Sequence, residues 1–273
     1  MCGRFCCSLE PNTIRMRLQE EKVLEQSDIE WVNEEKYHTS YNFCPWQFVP
    51  ALFEHGQKHT KLIQSMQWGF IASWIKNASY QRPINARSET LIENQHGLFQ
   101  KSKNAFRCVI AAEGFYEWNK KKQPFYIKRK DGQLMLFAGL YATSNVDGKV
   151  LTTCAIVTTE TNNQAFQKIH NRIPVILEPQ DVNTWIDKTK SFTDKTSALL
   201  RPFEGELDIY QVSTDVNSTK VDSSTLILPL DQKKSSISRF LQPSTTHDES
   251  KKSTPDIDKV KYSHTIVLSY RLF

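Results

Sequence analysis

The sequence predicts an α+β fold: one compact domain over residues 2–230, built of many short strands and short helices, and a disordered tail over residues 231–273. Two observations lead to this prediction. Strand-like and helix-like segments interleave irregularly, without β-α-β alternation or a G-x-G-x-x-G turn, which argues against a doubly wound nucleotide-binding fold. From about residue 232 onward Ser, Thr, Lys and Asp dominate, a composition that buries too little apolar surface to fold.

Apolar periodicity and turn residues define the elements in chain order. A strand over residues 3–8 precedes a helix that Pro11 opens. Apolar runs at 48–53 and 62–68 flank a polar stretch and predict a hairpin. The remaining expected elements are a buried strand at 107–112, a hairpin of 124–129 and 133–141 around Asp131-Gly132, strands at 151–159 and 208–213, and short helices at 162–169, 179–186 and 193–200.

Charge is spread thinly over the domain. The 273 residues hold 35 Lys+Arg and 30 Asp+Glu, a formal net charge of +5. The tail holds eight Lys+Arg and five Asp+Glu, so the domain itself carries only +2. Any anion binding by the domain must therefore depend on a few well-placed cations and not on a global field.

The six cysteines are scattered and form no C-x-x-C pair; they are Cys2, Cys6, Cys7, Cys44, Cys108 and Cys154. Neither a zinc site nor a disulfide framework is expected, and a reducing compartment fits better. No apolar run approaches the ~18–20 residues of a membrane span, and the first residues lack the apolar core of a signal peptide. We expect an intracellular monomer without metal or cofactor, nuclear in a eukaryote or cytoplasmic in a bacterium.

Cys2 follows Met1 directly, and removal of Met1 is expected because residue 2 is small. Cys2 would then carry an α-amine, with a pKa of ~7.7–8.0, and a thiol on adjacent carbons. Such an aminothiol traps aldehydes, because the amine forms an imine and the thiol closes a five-membered thiazolidine ring. It can equally serve as an acyl-transfer nucleophile, and a buried structural thiol is the plainer alternative. Glutamine amidotransferases also begin Met-Cys-Gly, but Arg4 and the lack of later Arg-Gly and Asn-Gly-Asp segments point away from them.

Three further segments carry candidate polar groups. Asn85 and Arg87 join an amide to a guanidinium suited to phosphate, although a surface turn entering a helix would look similar. Glu117 follows Phe115-Tyr116, where an apolar setting would raise the pKa of a carboxyl and suit acid–base work; an exposed strand-end Glu is as plausible. His170 can shuttle protons near neutral pH, and Arg172 two residues later would face the same side of an extended segment.

The segment Trp68-Gly69-Phe70-Ile71-Ala72-Ser73-Trp74 lies just upstream of Asn85. Core packing is the usual role of Trp. The functional alternative is a stacking platform for unpaired bases, where each contact contributes ~1–3 kcal/mol.

Taken in order, these motifs resemble the SRAP family, the SOS response-associated peptidases or abasic-site processing proteins. The resemblance covers residues 2–230 and rests on six motifs in family order. They are the Met-Cys-Gly-Arg start, Tyr41-Asn42 with Pro45 and Gln47, Trp-Gly…Trp, Asn-Ala-Arg-Ser-Glu, Gly-Phe-Tyr-Glu-Trp and His-x-Arg-x-Pro, with Asn217-Ser218 and Pro229 closing the domain. Two positions depart from the family pattern, Ala72 where Pro is usual and Ile173 where Met or Arg is frequent.

The resemblance implies a compact α+β SRAP domain with an antiparallel β-barrel-like core flanked by short helices. It also implies a sensor of abasic sites in single-stranded DNA that crosslinks through a thiazolidine, with possible β-elimination (lyase) and autoproteolytic peptidase activity. By motif position Cys2, Asn85, Glu117 and His170 would be catalytic, and Arg4, Trp74, Arg87, Thr158 and Arg172 would bind DNA.

Alternatives from other classes are an N-terminal-cysteine peptidase or amidase and a non-catalytic reader of modified bases. In the tail, Ile237, Phe240 and Leu241 loosely resemble a sliding-clamp binding peptide, although a solvated tail is the simpler interpretation.

Overall fold

The computed structural model describes residues 2–25, 29–56, 60–77, 82–93 and 96–231. Within these ranges the strands are β1 (Arg4–Cys7), β2 (Trp31–Val32), β3 (Ser40–Phe43), β4 (Phe48–His55), β5 (Thr60–Trp68), β6 (Asn85–Arg87), β7 (Arg107–Ala112), β8 (Gly114–Trp118), β9 (Pro124–Arg129), β10 (Met135–Val146), β11 (Lys149–Glu160), β12 (Arg172–Pro174), β13 (Ile176–Leu177) and β14 (Leu207–Gln211). The helices are α1 (Pro11–Glu20), α2 (Ser88–Glu93), α3 (Gln100–Ala105), α4 (Gln164–Gln167), α5 (Val182–Ile186) and α6 (Asp194–Ser197). Short 3-10 turns lie at Glu34–Lys36, Pro179–Asp181, Thr214–Asn217 and Ser224–Ile227.

Five strands close into a barrel. β5 pairs with β4, β4 with β7, β7 with β10 and β10 with β11, all antiparallel. The ring closes where β11 runs parallel to β5, through the pairs Thr153–Gln67 and Cys154–Trp68. The predicted α+β fold with a barrel-like core is confirmed, and its closing pair is parallel.

A second sheet, ordered β14-β9-β8-β1-β3, lies against the barrel. The Phe5 ring on β1 packs 5.2 Å from the Trp68 ring and 6.1 Å from the Phe137 ring, measured between centroids. Phe5, Trp68 and Phe137 are all buried, so apolar burial fixes β1 against the barrel. The start of the chain is thereby held next to β6, a short strand that runs parallel to β11.

Several predicted elements are confirmed. The hairpin of the 48–53 and 62–68 runs is β4–β5, and the 107–112 strand is β7, whose six residues are all buried. Because all six residues are buried, both faces of β7 are covered, which explains its apolar run. Its two edges pair with β4 and β10. The predicted helix at 179–186 is confirmed as the 3-10 turn Pro179–Asp181 followed by α5, whereas α4 and α6 are shorter than the predicted helices at 162–169 and 193–200. The motif segments that form β6, β8 and β12 were not predicted as strands.

The predicted hairpin around Asp131-Gly132 is wrong. The turn exists, with Gly132 at a φ of 75°, but β9 before it belongs to the second sheet and β10 after it belongs to the barrel. The Arg129 side chain, 4% exposed, is held by Asp131 and Glu178, so the turn is part of an ion-pair cluster between the sheets. The hairpin partner of β10 is β11, through a turn at Asp147-Gly148.

Among the helices that the structure describes, none combines the length and the apolar character needed to cross a bilayer. The tail prediction and its clamp-like residues Ile237, Phe240 and Leu241 lie outside the described residues.

Candidate functional site

Cys2 lies at the centre of the candidate site and is fully buried. Its carbonyl oxygen accepts a hydrogen bond of 2.9 Å from Asn85 Nδ2, and its Sγ lies 3.8 Å from the carbonyl oxygen of Arg4. Burial, followed by the negative charge of Glu117, raises the pKa of the Cys2 thiol well above its usual range. The thiol is therefore held neutral at physiological pH.

Asn85 reaches Cys2 because β6 continues the parallel pairing with β11 beyond the end of β5. Asn85 pairs with Ile156 of β11, and the indole Nε1 of Trp68 donates to the carbonyl oxygen of Ile84 at 2.9 Å. These two contacts hold the backbone at Asn85 and at the residue before it, and so position the Asn85 side-chain amide. Its Oδ1 is buried and has no hydrogen-bond partner among the described residues, so an acceptor next to Cys2 is left available for an N–H or O–H group.

Glu117 arrives on β8, the antiparallel neighbour of β1. Arg4 pairs with Tyr116, and extending that register by one residue places Glu117 opposite Gly3, beside Cys2. The Glu117 side chain is 5% exposed, and its Oε1 accepts from the backbone N–H of Trp118 at 3.3 Å. A carboxylate thus adjoins the thiol in a setting screened from water.

Arg4 closes the other side of the site. Its Nη1 donates to Asn42 Oδ1 and to the carbonyl oxygen of Val216, each at 2.7 Å, and its Nη2 donates to the carbonyl oxygen of Asn217 at 3.3 Å. The Trp118 indole Nε1 donates to Asn217 Oδ1 at 2.7 Å. The segment around Asn217 therefore covers the start of β1 and fixes the guanidinium near Cys2.

A second group of predicted residues lies along β6, β11 and β12. Arg172 is 7% exposed, and its guanidinium contacts both Glu89 carboxylate oxygens, at 3.2 and 2.9 Å. Its Nη2 also donates to the carbonyl oxygen of the buried Thr158 at 2.7 Å, and its backbone N–H donates to His170 Nδ1 at 2.9 Å. Arg87 pairs with Thr158 in the sheet and is exposed. Of the three predicted phosphate-binding arginines, Arg87 is the most accessible, whereas Arg172 is bound to a protein carboxylate.

Trp74 lies apart from these residues. It is 54% exposed and borders a cleft of about 80 Å³ with Lys101, Phe106 and Thr143. Thr143 pairs with Thr152, four residues along β11 from the partner of Asn85, which corresponds to roughly 13 Å along the strand. Any contact of Trp74 with a ligand at Cys2 must therefore involve an extended ligand.

The structure brings Cys2, Arg4, Asn85 and Glu117 together at one end of the barrel and places Thr158, His170 and Arg172 in an adjoining cluster. Sequence reasoning assigned no site role to Asn42, Asn217 or Glu89, although all three lie in the motifs. Their position as polar residues within the motifs was the sequence signal that could have identified them. In the part of the chain that the structure describes, no three His, Cys, Asp or Glu side chains are grouped as metal ligands.

A closed barrel and a second sheet whose first strand begins two residues after a buried cysteine, held between an amide and a carboxylate, define a single-domain, cysteine-centred site. The family model "SOS response associated peptidase (SRAP)" matches residues 1–219, and the chain belongs to the SRAP family. The protein is 37% identical over 235 residues to "Abasic site processing protein YoqW" of Bacillus subtilis, covering 83% of this chain and 99% of that one.

It is also 28% identical to "Abasic site processing protein HMCES" of Gallus gallus, covering 85% of this chain and 78% of that one. A crystal structure of a Bacteroides thetaiotaomicron protein matches with a TM-score of 0.69 at 21% identity, covering 84% of this chain and 99% of that one. That likeness shows a shared fold.

Proposed function

We propose that the protein captures abasic sites in single-stranded DNA by forming a thiazolidine crosslink through Cys2 after removal of Met1. The main support is the hydrogen bond from Asn85 Nδ2 to the Cys2 carbonyl, which holds the residue in place beside Glu117. Membership of a family whose relatives are named abasic site processing proteins supports the same substrate class.

The chemistry follows from the two groups on Cys2. The α-amine adds to the C1 aldehyde of the ring-opened sugar, and loss of water leaves an imine. Sγ then adds to the imine carbon while the thiol proton passes to the nitrogen, which closes the five-membered ring. Burial and the negative charge of Glu117 raise the pKa of the Cys2 thiol, so the thiol carries the proton that passes to the nitrogen in the closing step.

The surrounding residues have separate roles in this proposal. Glu117 transfers protons during ring opening and imine formation, and Asn85 orients Cys2 and the sugar. His170 assists proton transfer from the adjoining cluster, where its Nδ1 lies 2.9 Å from the backbone nitrogen and 3.2 Å from the carbonyl oxygen of Arg172. Arg4 and Arg87 hold phosphates beside the lesion.

The thiazolidine also explains how the lesion would be shielded. An imine at C1 is the intermediate from which β-elimination breaks the DNA strand. Addition of Sγ removes the imine, so ring closure opposes strand cleavage. Lyase activity is therefore expected to be low in the wild type and higher in Cys2→Ser, which keeps the amine and lacks the thiol.

The test is a denaturing gel of single-stranded DNA that carries one uracil and has been treated with uracil glycosylase. The wild type should give a denaturant-resistant adduct, and a strand with a reduced, aldehyde-free analogue should give none. Cys2→Ala should abolish the adduct, whereas Cys154→Ala, which removes a thiol equally buried on β11, should retain it. Full crosslinking by Cys2→Ala would contradict the proposal, as would an intact mass that retains Met1. Turnover of a peptide or glutamine without DNA would favour the peptidase or amidase alternative.

A further inference from the structure

Beyond Cys2, an exposed aromatic side chain lies against a cation in a contact that the proposed chemistry does not use. Trp46 is 49% exposed, and the guanidinium carbon of Arg82 lies 5.5 Å from the centroid of its ring. We call these two side chains the Trp46–Arg82 platform. Exposed Trp and Arg planes are the side chains on which unpaired nucleobases stack.

The position of the Trp46 ring is built into the backbone. Trp46 has a φ of 77°, a conformation that a bulky residue rarely adopts and that tends to occur where function requires it. Its backbone N–H donates to the Trp68 carbonyl at 2.7 Å, and its own carbonyl accepts from Gln67 Nε2 at 2.9 Å. Gly69 leaves room for the ring, since a Cβ there would lie 2.2 Å from Trp46 Cζ3.

The Arg82 guanidinium is held in place without being neutralised. Its Nη1 donates to Gln67 Oε1 at 3.1 Å, the same side chain whose amide binds the Trp46 carbonyl. None of the ion pairs between residues that the structure describes includes Arg82. A fixed guanidinium without a carboxylate partner is suited to a phosphate.

The platform is linked to the candidate site by a short chain of contacts. Trp46 binds Trp68 through the backbone, the Trp68 indole binds the Ile84 carbonyl at 2.9 Å, and the next residue, Asn85, binds Cys2. Along β11, the partner of Trp68 is Cys154 and the partner of Asn85 is Ile156, two residues or roughly 7 Å further on. The backbone that holds Trp46 and the amide that holds Cys2 are thus attached to neighbouring parts of one strand. An abasic sugar has no base to stack, so stacking energy must come from a neighbouring nucleotide.

We propose that the Trp46–Arg82 platform binds the nucleotide next to the abasic site, with its base against the Trp46 indole and its phosphate on the Arg82 guanidinium. This inference rests on the proposed function and adds a subsite for the flanking nucleotide.

The test measures noncovalent binding to single strands that contain one tetrahydrofuran analogue, which has no aldehyde and cannot crosslink. Trp46→Gly removes the ring, and glycine accepts the positive φ without strain. It should weaken binding by about 5- to 150-fold, whereas Trp46→Phe, which keeps a stacking face, should retain most of the affinity. Met16→Ala, which truncates a 54%-exposed side chain on α1, is the matched control and should bind like the wild type.

Removing the flanking base identifies the contact directly. A second tetrahydrofuran placed on one side of the lesion should lower wild-type affinity to that of Trp46→Gly, and it should not weaken Trp46→Gly further. Arg82→Ala should lower the slope of log K against log salt by about 0.7, as expected for one phosphate contact on a single strand. Thermal melting of each variant checks the fold.

The inference is overturned if Trp46→Gly binds as tightly as the wild type. It is also overturned if base removal on either side weakens both proteins by the same factor. If genuine abasic DNA still gives the adduct, only the platform is excluded. If the adduct is absent but removal of the neighbouring base still weakens binding of the wild type alone, the crosslinking chemistry is excluded instead.

Discussion

Replacing Glu89 by Gln tests how the second cluster of the site is held together. The Arg172 side chain is 9% exposed and contacts both carboxylate oxygens of Glu89, whose side chain is 40% exposed. Hydrogen bonds to charged groups contribute ~1.5–3 kcal/mol when well shielded, and the exposed carboxylate reduces that value. We expect a coupling free energy of about 1–2 kcal/mol between the two side chains.

The assay is a double-mutant cycle of Glu89→Gln and Arg172→Met, measured by urea unfolding at neutral and acidic pH. Burial alone would raise the pKa of Glu89, but the hydrogen bonds and charge of Arg172 outweigh it and lower the pKa below its ordinary value. A lowered folded-state pKa stabilises the protein above the unfolded pKa of ~4.3. The coupling should therefore be complete at pH 7 and disappear as the pH falls below about 4 through the lower folded-state pKa.

The reasoning would be refuted by additivity at pH 7, meaning a coupling no larger than the ~0.3–0.5 kcal/mol seen for independent sites. A coupling that does not decrease at all between pH 7 and the lowest pH at which the protein stays folded would refute the electrostatic explanation alone. Arg87→Met is the control partner, because Arg87 is exposed on β6 and should be additive with Glu89→Gln.

Three further predictions concern other parts of the fold. Burial raises the pKa of the Cys154 thiol, so its contribution to the free energy of unfolding is fully present below about pH 8.5, the pKa in the unfolded chain, and decreases above it. In urea unfolding, Cys154→Ala should reduce the alkaline decrease in that free energy by up to ~1.4 kcal/mol per pH unit. Gly69→Ala should lower stability by about 1–3 kcal/mol in thermal melts, because the new Cβ meets the Trp46 ring at a φ of 136°. Asn85→Ala should slow adduct formation roughly 10- to 100-fold in gel time courses, because the Cys2 carbonyl loses its donor.

Each of the three has a distinguishing outcome. An alkaline slope that is the same in Cys154→Ala and the wild type would mean that this thiol does not titrate on unfolding. If Trp46→Gly fails to relieve part of the Gly69→Ala penalty, the clash is not with the indole. Equal crosslinking rates for Asn85→Ala and the wild type would remove the amide from the positioning of Cys2.

The sequence predicted correctly those strands whose apolar pattern is contained within the strand itself. The unbroken apolar run of β7 and the paired runs of β4 and β5 were recognisable because burial repeats along the strand itself. The turn at Asp131-Gly132 was also recognisable, yet its strands belong to different sheets. Turn residues specify a change of direction, whereas the pairing partner is chosen by contacts made elsewhere in the chain.

The sequence by itself determined the candidate site residues and their order: a cysteine after Met1, then Asn85, Glu117 and His170 in motifs that resemble the family's. The chemistry proposed for Cys2 depends on an amine and a thiol of the same residue, so it can be inferred without knowledge of the fold. Tertiary structure decided which groups meet, by placing β1 beside β8 and β6 along β11.

It also decided that Arg172 is bound to Glu89, that the Cys2 thiol is held neutral by burial, and that Trp46 is held half exposed at a positive φ. Desolvation and ion pairing depend on what packs around a side chain, and those neighbours come from residues distant in sequence.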